Sequence, residues 1–140
     1  MPDPAVQRLL DRVEIEQLKA RYFRCVDLRL WDELAGVFTE DAEMHVAETH
    51  TRGRDAIVEL IRGALDGVRT VHHGHMPEID FPADDRATGI WAMFDVAERE
   101  GGPVRVGFGH YHEEYVRDAG TWRIAAVRLE RLRLDHVALR

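Results

Sequence analysis

The chain has 140 residues, 45% of them hydrophobic and 32% charged, and a formal net charge of −7. That length suits a single domain, 1–140, with one sizeable core. Net negative charge without a Lys/Arg-rich run argues against nucleic acid or an anionic membrane surface as a partner. The lone Cys25 cannot form an internal disulfide and there is no CxxC. Neither a signal-peptide core nor a run of transmembrane length is present, so a cytoplasmic protein is expected.

Asp3 followed by Pro4 reads as an N-cap with proline at the first helical position. Val6, Leu9, Leu10, Val13, Leu18, Tyr22 and Val26 then recur at roughly three- and four-residue intervals, which predicts a helix, or two helices in tandem, ending near Leu28 to Leu30. Trp31–Phe38 continues as a second short helix. A-E-M-H-V-A-E alternates like a strand, T-R-G reads as a turn, and R-D-A-I-V-E-L-I-R-G-A-L makes a third helix that stops by Gly67. Beyond Val68 four long strands are predicted, at about 69–81, 86–99, 104–117 and 121–134, separated by P-A-D-D, G-G-P and D-A-G. Helices followed by a meander predict an α+β fold, with a curved, cone-like, mainly antiparallel sheet wrapped by three helices.

Three histidines crowd the stretch R-T-V-H-H-G-H. If P-A-D-D is a four-residue loop, His72 faces Asp95 directly across the ladder, with Cβ atoms roughly 5 Å apart. His73 and His75 then point to the opposite face, so the cluster cannot close on one metal ion. His73/His75 or His110/His112 could hold a metal on one face, but alternating solvated histidines are commoner, and no metal is expected. Three-residue loops at G-G-P and D-A-G would put Gly109 opposite Asp95, Tyr111 opposite Met93, and Val127 opposite Tyr111. Two-residue loops would swap the faces. In the first register His72, Met93, Asp95, Tyr111, Val127, Leu129 and Arg131 share the concave face, with Phe23, Val26 and Phe94 as further lining, and Gly74, Gly107 and Gly109 leave space for a ligand. Arg131 is either an anchor in that cavity or half of a surface pair with Glu130 or Asp135. Trp31, Trp91 and Trp122 read as packing residues.

The segments A-R-Y-F-R-C-V-D-L-R-L-W-D-E-L, R-T-V-H-H-G-H and G-H-Y-H-E-E-Y-V-R-D-A-G-T-W-R-I together resemble the nuclear transport factor 2-like, or SnoaL-like, superfamily. Within it the likeness is to the scytalone dehydratase-like branch, which includes bile-acid 7α-dehydratase and a hexachlorocyclohexane dehydrochlorinase. The resemblance implies eliminations without a cofactor, driven by a histidine paired with an aspartate. It implies His72 as the base, Asp27 and Asp95 as carboxylates and Tyr22 as a hydrogen-bond donor. Gly109, Tyr111 and Val127 depart from the patterns of individual branch members, so the reaction class carries over better than the substrate. The expected function is a lyase acting on a mostly apolar cyclic molecule. An isomerase or aldol-type cyclase of the same fold, and a non-catalytic ligand-binding or dimerisation domain, are the alternatives. A homo-oligomer, dimer or trimer, is expected through the outer sheet face, where Ile90, Ala92, Val106, Phe108 and His110 lie.

Overall fold

The computed structural model describes residues 1–138. Helix α1 runs Pro4–Leu28, α2 Trp31–Ala35 and α3 Arg54–Ala64; the strands are β1 Phe38–Val46, β2 Thr49–Arg52, β3 Val68–Ala83, β4 Arg86–Arg99, β5 Val104–Asp118 and β6 Thr121–Val137. The strands form one curved, unclosed sheet in the order β2-β1-β6-β5-β4-β3. Among the described residues only the β1–β6 pairing is parallel. Among the described residues no helix is long and apolar enough to cross a membrane.

Asp3 caps α1 as expected, its carboxylate accepting from the Ala5 N–H at 2.8 Å. The buried stripe of that helix is not the one its apolar spacing suggested. Val6, Leu9, Leu10 and Val13 are exposed, while Asp11, Ile15, Leu18, Lys19, Tyr22 and Val26 face the core. Two charged positions therefore belong to the inward face. Asp11 is satisfied there by Arg117, Gln7 and the Trp122 indole. Trp91 and Trp122 are buried packing residues, as expected.

The second helix is shorter than expected because Phe38 already begins β1. T-R-G is not a turn: Thr51 and Arg52 pair with Met44 and Glu43 in β2. The chain reverses instead at Ala47 and Glu48, with Ala47 in the left-handed region at φ 51°.

The strand registers explain why the cavity face was read correctly from wrong turns. The β3–β4 turn has two residues, so Ala83, not Phe81, faces Arg86. Bulges between Asp80 and Ala83 and between Gly74 and Pro77 each absorb one residue, and His72 ends opposite Asp95 after all. Across β4–β5 the pairing moves two residues from expectation: Asp95 faces Gly107, and Tyr111 faces Trp91. At β5–β6 the turn is a two-residue one, Ala119–Gly120, with both φ values positive. That alone would have swapped the faces, but a bulge between Glu114 and Tyr115 restores them, leaving Tyr111 opposite Leu129.

Candidate active site

His72 projects from β3 into the concave side of the sheet, and the C-terminal end of α1 comes up behind it. Asp27, in the last turn of α1, takes the His72 ring and backbone together. His72 Nδ1 lies 2.7 Å from Asp27 Oδ1, and the His72 backbone N–H donates to Oδ2 at 2.8 Å. The Thr70 hydroxyl donates to Oδ1 at 2.9 Å and itself accepts from Arg29 at 3.1 Å. Arg29 sits at the α1 C-cap with φ 62° and also donates to the Val26 and Val68 carbonyls, tying helix end to strand. Burial pushes the Asp27 carboxyl up, but the bonds from His72 and Thr70 outweigh it and hold the acid below the usual carboxylate range. An ionised Asp27 can only accept, so the His72 Nδ1–H donates a hydrogen bond to it and the Nε2 lone pair is left as the free position.

Asp95 is the second carboxylate, and it is not the orienting one. Its Oδ2 lies 3.9 Å from His72 Nε2, beyond hydrogen-bond length. Arg131 holds it in a two-pronged pair at 2.8 and 2.9 Å. Burial raises the Asp95 acid, yet the guanidinium more than offsets that and the group stays lowered. Arg131 is thus a cavity residue, not a surface partner of Glu130 or Asp135; the Asp135 carboxylate accepts from Arg133 instead. The glycines have a different use from the one expected. A Cβ on Gly107 would collide with the Arg131 and Asp95 head groups, and one on Gly74 with the Phe23 ring. At Gly109 it would meet the Glu130 carbonyl. The missing side chains make room for the protein's own groups rather than for a ligand.

A cavity of about 290 Å³ opens onto these groups. Its lining includes Tyr22, Val26, His72, Asp95, Tyr111, Val127, Leu129 and Arg131, eight of the expected residues. Met44 and Val46 of β1, Thr49 of β2, Leu60, Ile61 and Ala64 of α3, Leu65 and Arg105 complete it. Asp27 does not line it, because its carboxylate is turned to β3. Phe23 and Met93 do not line it either. Phe23 stacks behind His72, ring centroids 6.3 Å apart and planes within 16°, and Met93 is buried in the core. Phe94 lies on the outer face against Phe108. Wall residues on β1, β2 and α3 escaped the sequence reading because nothing local to those segments says which face the sheet will curl toward.

Tyr22 and Tyr111 meet edge to face over the cavity floor, centroids 6.1 Å apart. Burial raises both phenols well above their ordinary range, with Glu113 adding for Tyr22 and Tyr22 for Tyr111, so both carry their protons and can donate. Beneath them lies a fully buried ion pair that the sequence reading missed, Lys19 against Glu113. The Lys19 ammonium sits 3.6 Å from the Tyr111 ring centroid, 4.1 Å from Tyr22 and 4.7 Å from Phe23. Burial holds the pKa of the Lys19 ammonium below the ordinary lysine range, against the opposing pull of Glu113. A signal existed: Lys19 lies four residues after Ile15 and three before Tyr22 on the inward stripe, and Glu113 shares the parity of Tyr111.

The SnoaL-like domain family matches residues 7–128. The chain is 26% identical over 133 residues to the probable cyclase FGR4 of Gibberella zeae, covering 84% of this chain and 89% of that protein. Among solved structures, a type 2 hexachlorocyclohexane dehydrochlorinase (LinA) superposes with a TM-score of 0.89 at 23% identity, over 96% of this chain and 93% of that one. A protein provisionally named scytalone dehydratase, from Novosphingobium aromaticivorans, gives a TM-score of 0.88 at 24% identity, over 97% and 93%. Both share the cone of curved sheet and helices described above. With most of its length matched by the family and its fold shared with these structures, the chain belongs to the SnoaL-like family of the nuclear transport factor 2-like superfamily.

Proposed function

We propose that the protein is a cofactor-independent lyase that eliminates water, or a comparable leaving group, from a compact and mostly apolar ring compound. One observation carries the reading: His72 has Nδ1 tied to an ionised Asp27 and faces an apolar-walled cavity with Nε2. Nε2 takes a proton from a carbon next to an electron-withdrawing group. The C–H electron pair becomes the new double bond, and the leaving hydroxyl departs with its own pair and takes up the proton from the imidazolium, so that water is released. Asp27 steadies the imidazolium between the two transfers, and Asp95 adds a second negative charge 3.9 Å from Nε2. Tyr22 and Tyr111 donate to the oxygen on which negative charge develops. A cavity of about 290 Å³ suits one or two fused rings better than a long chain. A panel of hydroxylated ring ketones, followed by mass spectrometry for loss of water, tests the reading. It fails if no member is turned over while the same panel binds.

Isomerisation or cyclisation is the second reading, favoured by the likeness to a protein named a cyclase. Both use the same base. An isomerase returns the proton to another carbon of the substrate. In an aldol-type cyclisation the carbanion attacks a carbonyl carbon and the new alkoxide takes the proton, so product mass is unchanged in either case. We also propose a homo-oligomer, dimer or trimer, through the outer sheet face, where Ile90 and Phe108 are 37% and 39% exposed. Light scattering of wild type and Phe108→Glu checks this: a monomeric wild type refutes it.

A further inference from the structure

We propose that Glu43, His45 and His50 form a binding site for a borderline divalent cation such as Zn²⁺ or Ni²⁺, on the outer face of the β1–β2 hairpin. The inference stands apart from the reading of the cavity. His45 and His50 are direct partners across the ladder, and Glu43 precedes His45 by two residues, so all three side chains share one face. The two imidazoles stack with centroids 4.0 Å apart and planes within 12°. Their Nε2 atoms lie 3.9 and 3.8 Å from the same carboxylate oxygen, Glu43 Oε2. The three ligand atoms are all within 4.8 Å of one another.

A tetrahedral ion with bonds of about 2.0–2.1 Å spaces its ligand atoms about 3.4 Å apart. Each carboxylate–imidazole spacing therefore needs to shorten by about half an ångström. The stacked rings must also tilt out of their parallel planes so that both Nε2 lone pairs, which lie in the ring planes, meet at one point. The solvent-facing side chains leave room for those rotations. Arg52 is 3.6 Å from the other carboxylate oxygen, Oε1, so it turns Oε2 toward the histidines without occupying it, as outer-shell partners of metal ligands do. Two imidazoles and one carboxylate select zinc, nickel or copper over magnesium or calcium, which take oxygen sets. Arg52, and Arg128 opposite His45 on β6, put positive charge nearby and set the affinity below that of an all-anionic site. On the reverse face of the same hairpin Val46 and Thr49 form part of the cavity wall, so an ion here clips the edge strand that shapes the cavity rim.

Tag-free, metal-stripped full-length protein titrated calorimetrically with zinc chloride and nickel chloride tests the site, with magnesium chloride as the hard-cation control. One equivalent of zinc or nickel binds and magnesium gives no heat. His45→Ala and His50→Ala, each with an unchanged circular dichroism spectrum, bind at least about tenfold more weakly. A His110→Ala/His112→Ala variant retains wild-type binding. Zinc also raises the Tm of wild type but not of His50→Ala. No saturable zinc or nickel binding, or binding that survives loss of both hairpin histidines, overturns the proposal.

Discussion

Two groups of buried charge lie close together in this core, and their surroundings differ. Around His72 the polar atoms are satisfied: Asp27 accepts from a ring, a backbone N–H and a hydroxyl, and Asp95 accepts twice from Arg131. The group faces a cavity, and one position, His72 Nε2, is left for something else. The Lys19–Glu113 pair is sealed at 0% exposure, and among the described residues neither head group has a hydrogen-bond partner beyond the other. Its ammonium is surrounded by aromatic rings instead. Satisfied charge with one free basic nitrogen fits the chemistry proposed for the cavity, whereas a sealed pair fits a role in the packing of the rings above it.

The largest effect separates the groups by activity. His72→Gln lowers turnover by about 10²–10⁴-fold, the range for loss of a general base, while the denaturation midpoint barely moves. A variant that unfolds instead would place His72 with the structural pair.

Next comes stability. Lys19→Met alone, or Glu113→Leu alone, leaves an unpaired buried charge and costs about 3–5 kcal/mol in urea denaturation. The double variant recovers most of that loss. If the double variant is as unstable as the singles, the pair contributes through shape rather than charge.

A smaller effect distinguishes the two carboxylates. Asp27→Asn lowers turnover by about ten- to a hundredfold, or about 1.4–2.7 kcal/mol of transition-state stabilisation. The amide breaks the orienting bond at Nδ1 without removing the base. Asp95→Asn, without contact to Nδ1, has the lesser effect on rate, and reversal of that order would make Asp95 the orienting group.

The smallest effect is a slope. Asp27 and Asp95 both have lowered folded-state pKa values. Their contribution is therefore complete above the ordinary aspartate value of about 3.9 and is lost as pH falls through the lowered values. Wild-type Tm should decline below about pH 4, and Asp27→Asn should flatten that decline. An unchanged acid limb in the variant would mean that Asp27 titrates alike in both states.

Alternation along β4 and β5 made the inward residues legible from the chain alone. Asp95 of β4 and Tyr111 of β5 fall on one face with His72 of the neighbouring β3, because a strand repeats every two residues and paired residues share a face. The adjacency of His72 and Asp95 came out right through a wrong turn, since two bulges cancelled a two-residue error. Bulges carry no composition signal strong enough to count them. The buried stripe of α1 was obscured for a related reason. Val6, Leu9, Leu10 and Val13 keep helical spacing while lying on the solvent side, and Asp11 and Lys19 occupy core positions because Arg117 and Glu113 reach them from β5.

The sequence by itself determined the order of helices and strands apart from β2, the facing of the central strands and the residue types able to do acid–base work. Those follow from local periodicity and side-chain chemistry. Only the tertiary structure decided that Asp27 rather than Asp95 bonds His72 Nδ1, that Arg131 pins Asp95, that the glycine gaps hold Phe23 and Arg131, and that β2 closes the cavity wall. Each of those depends on where the end of a helix meets a strand far from it in the chain. That meeting is fixed by how the whole core packs, which no short stretch of sequence records.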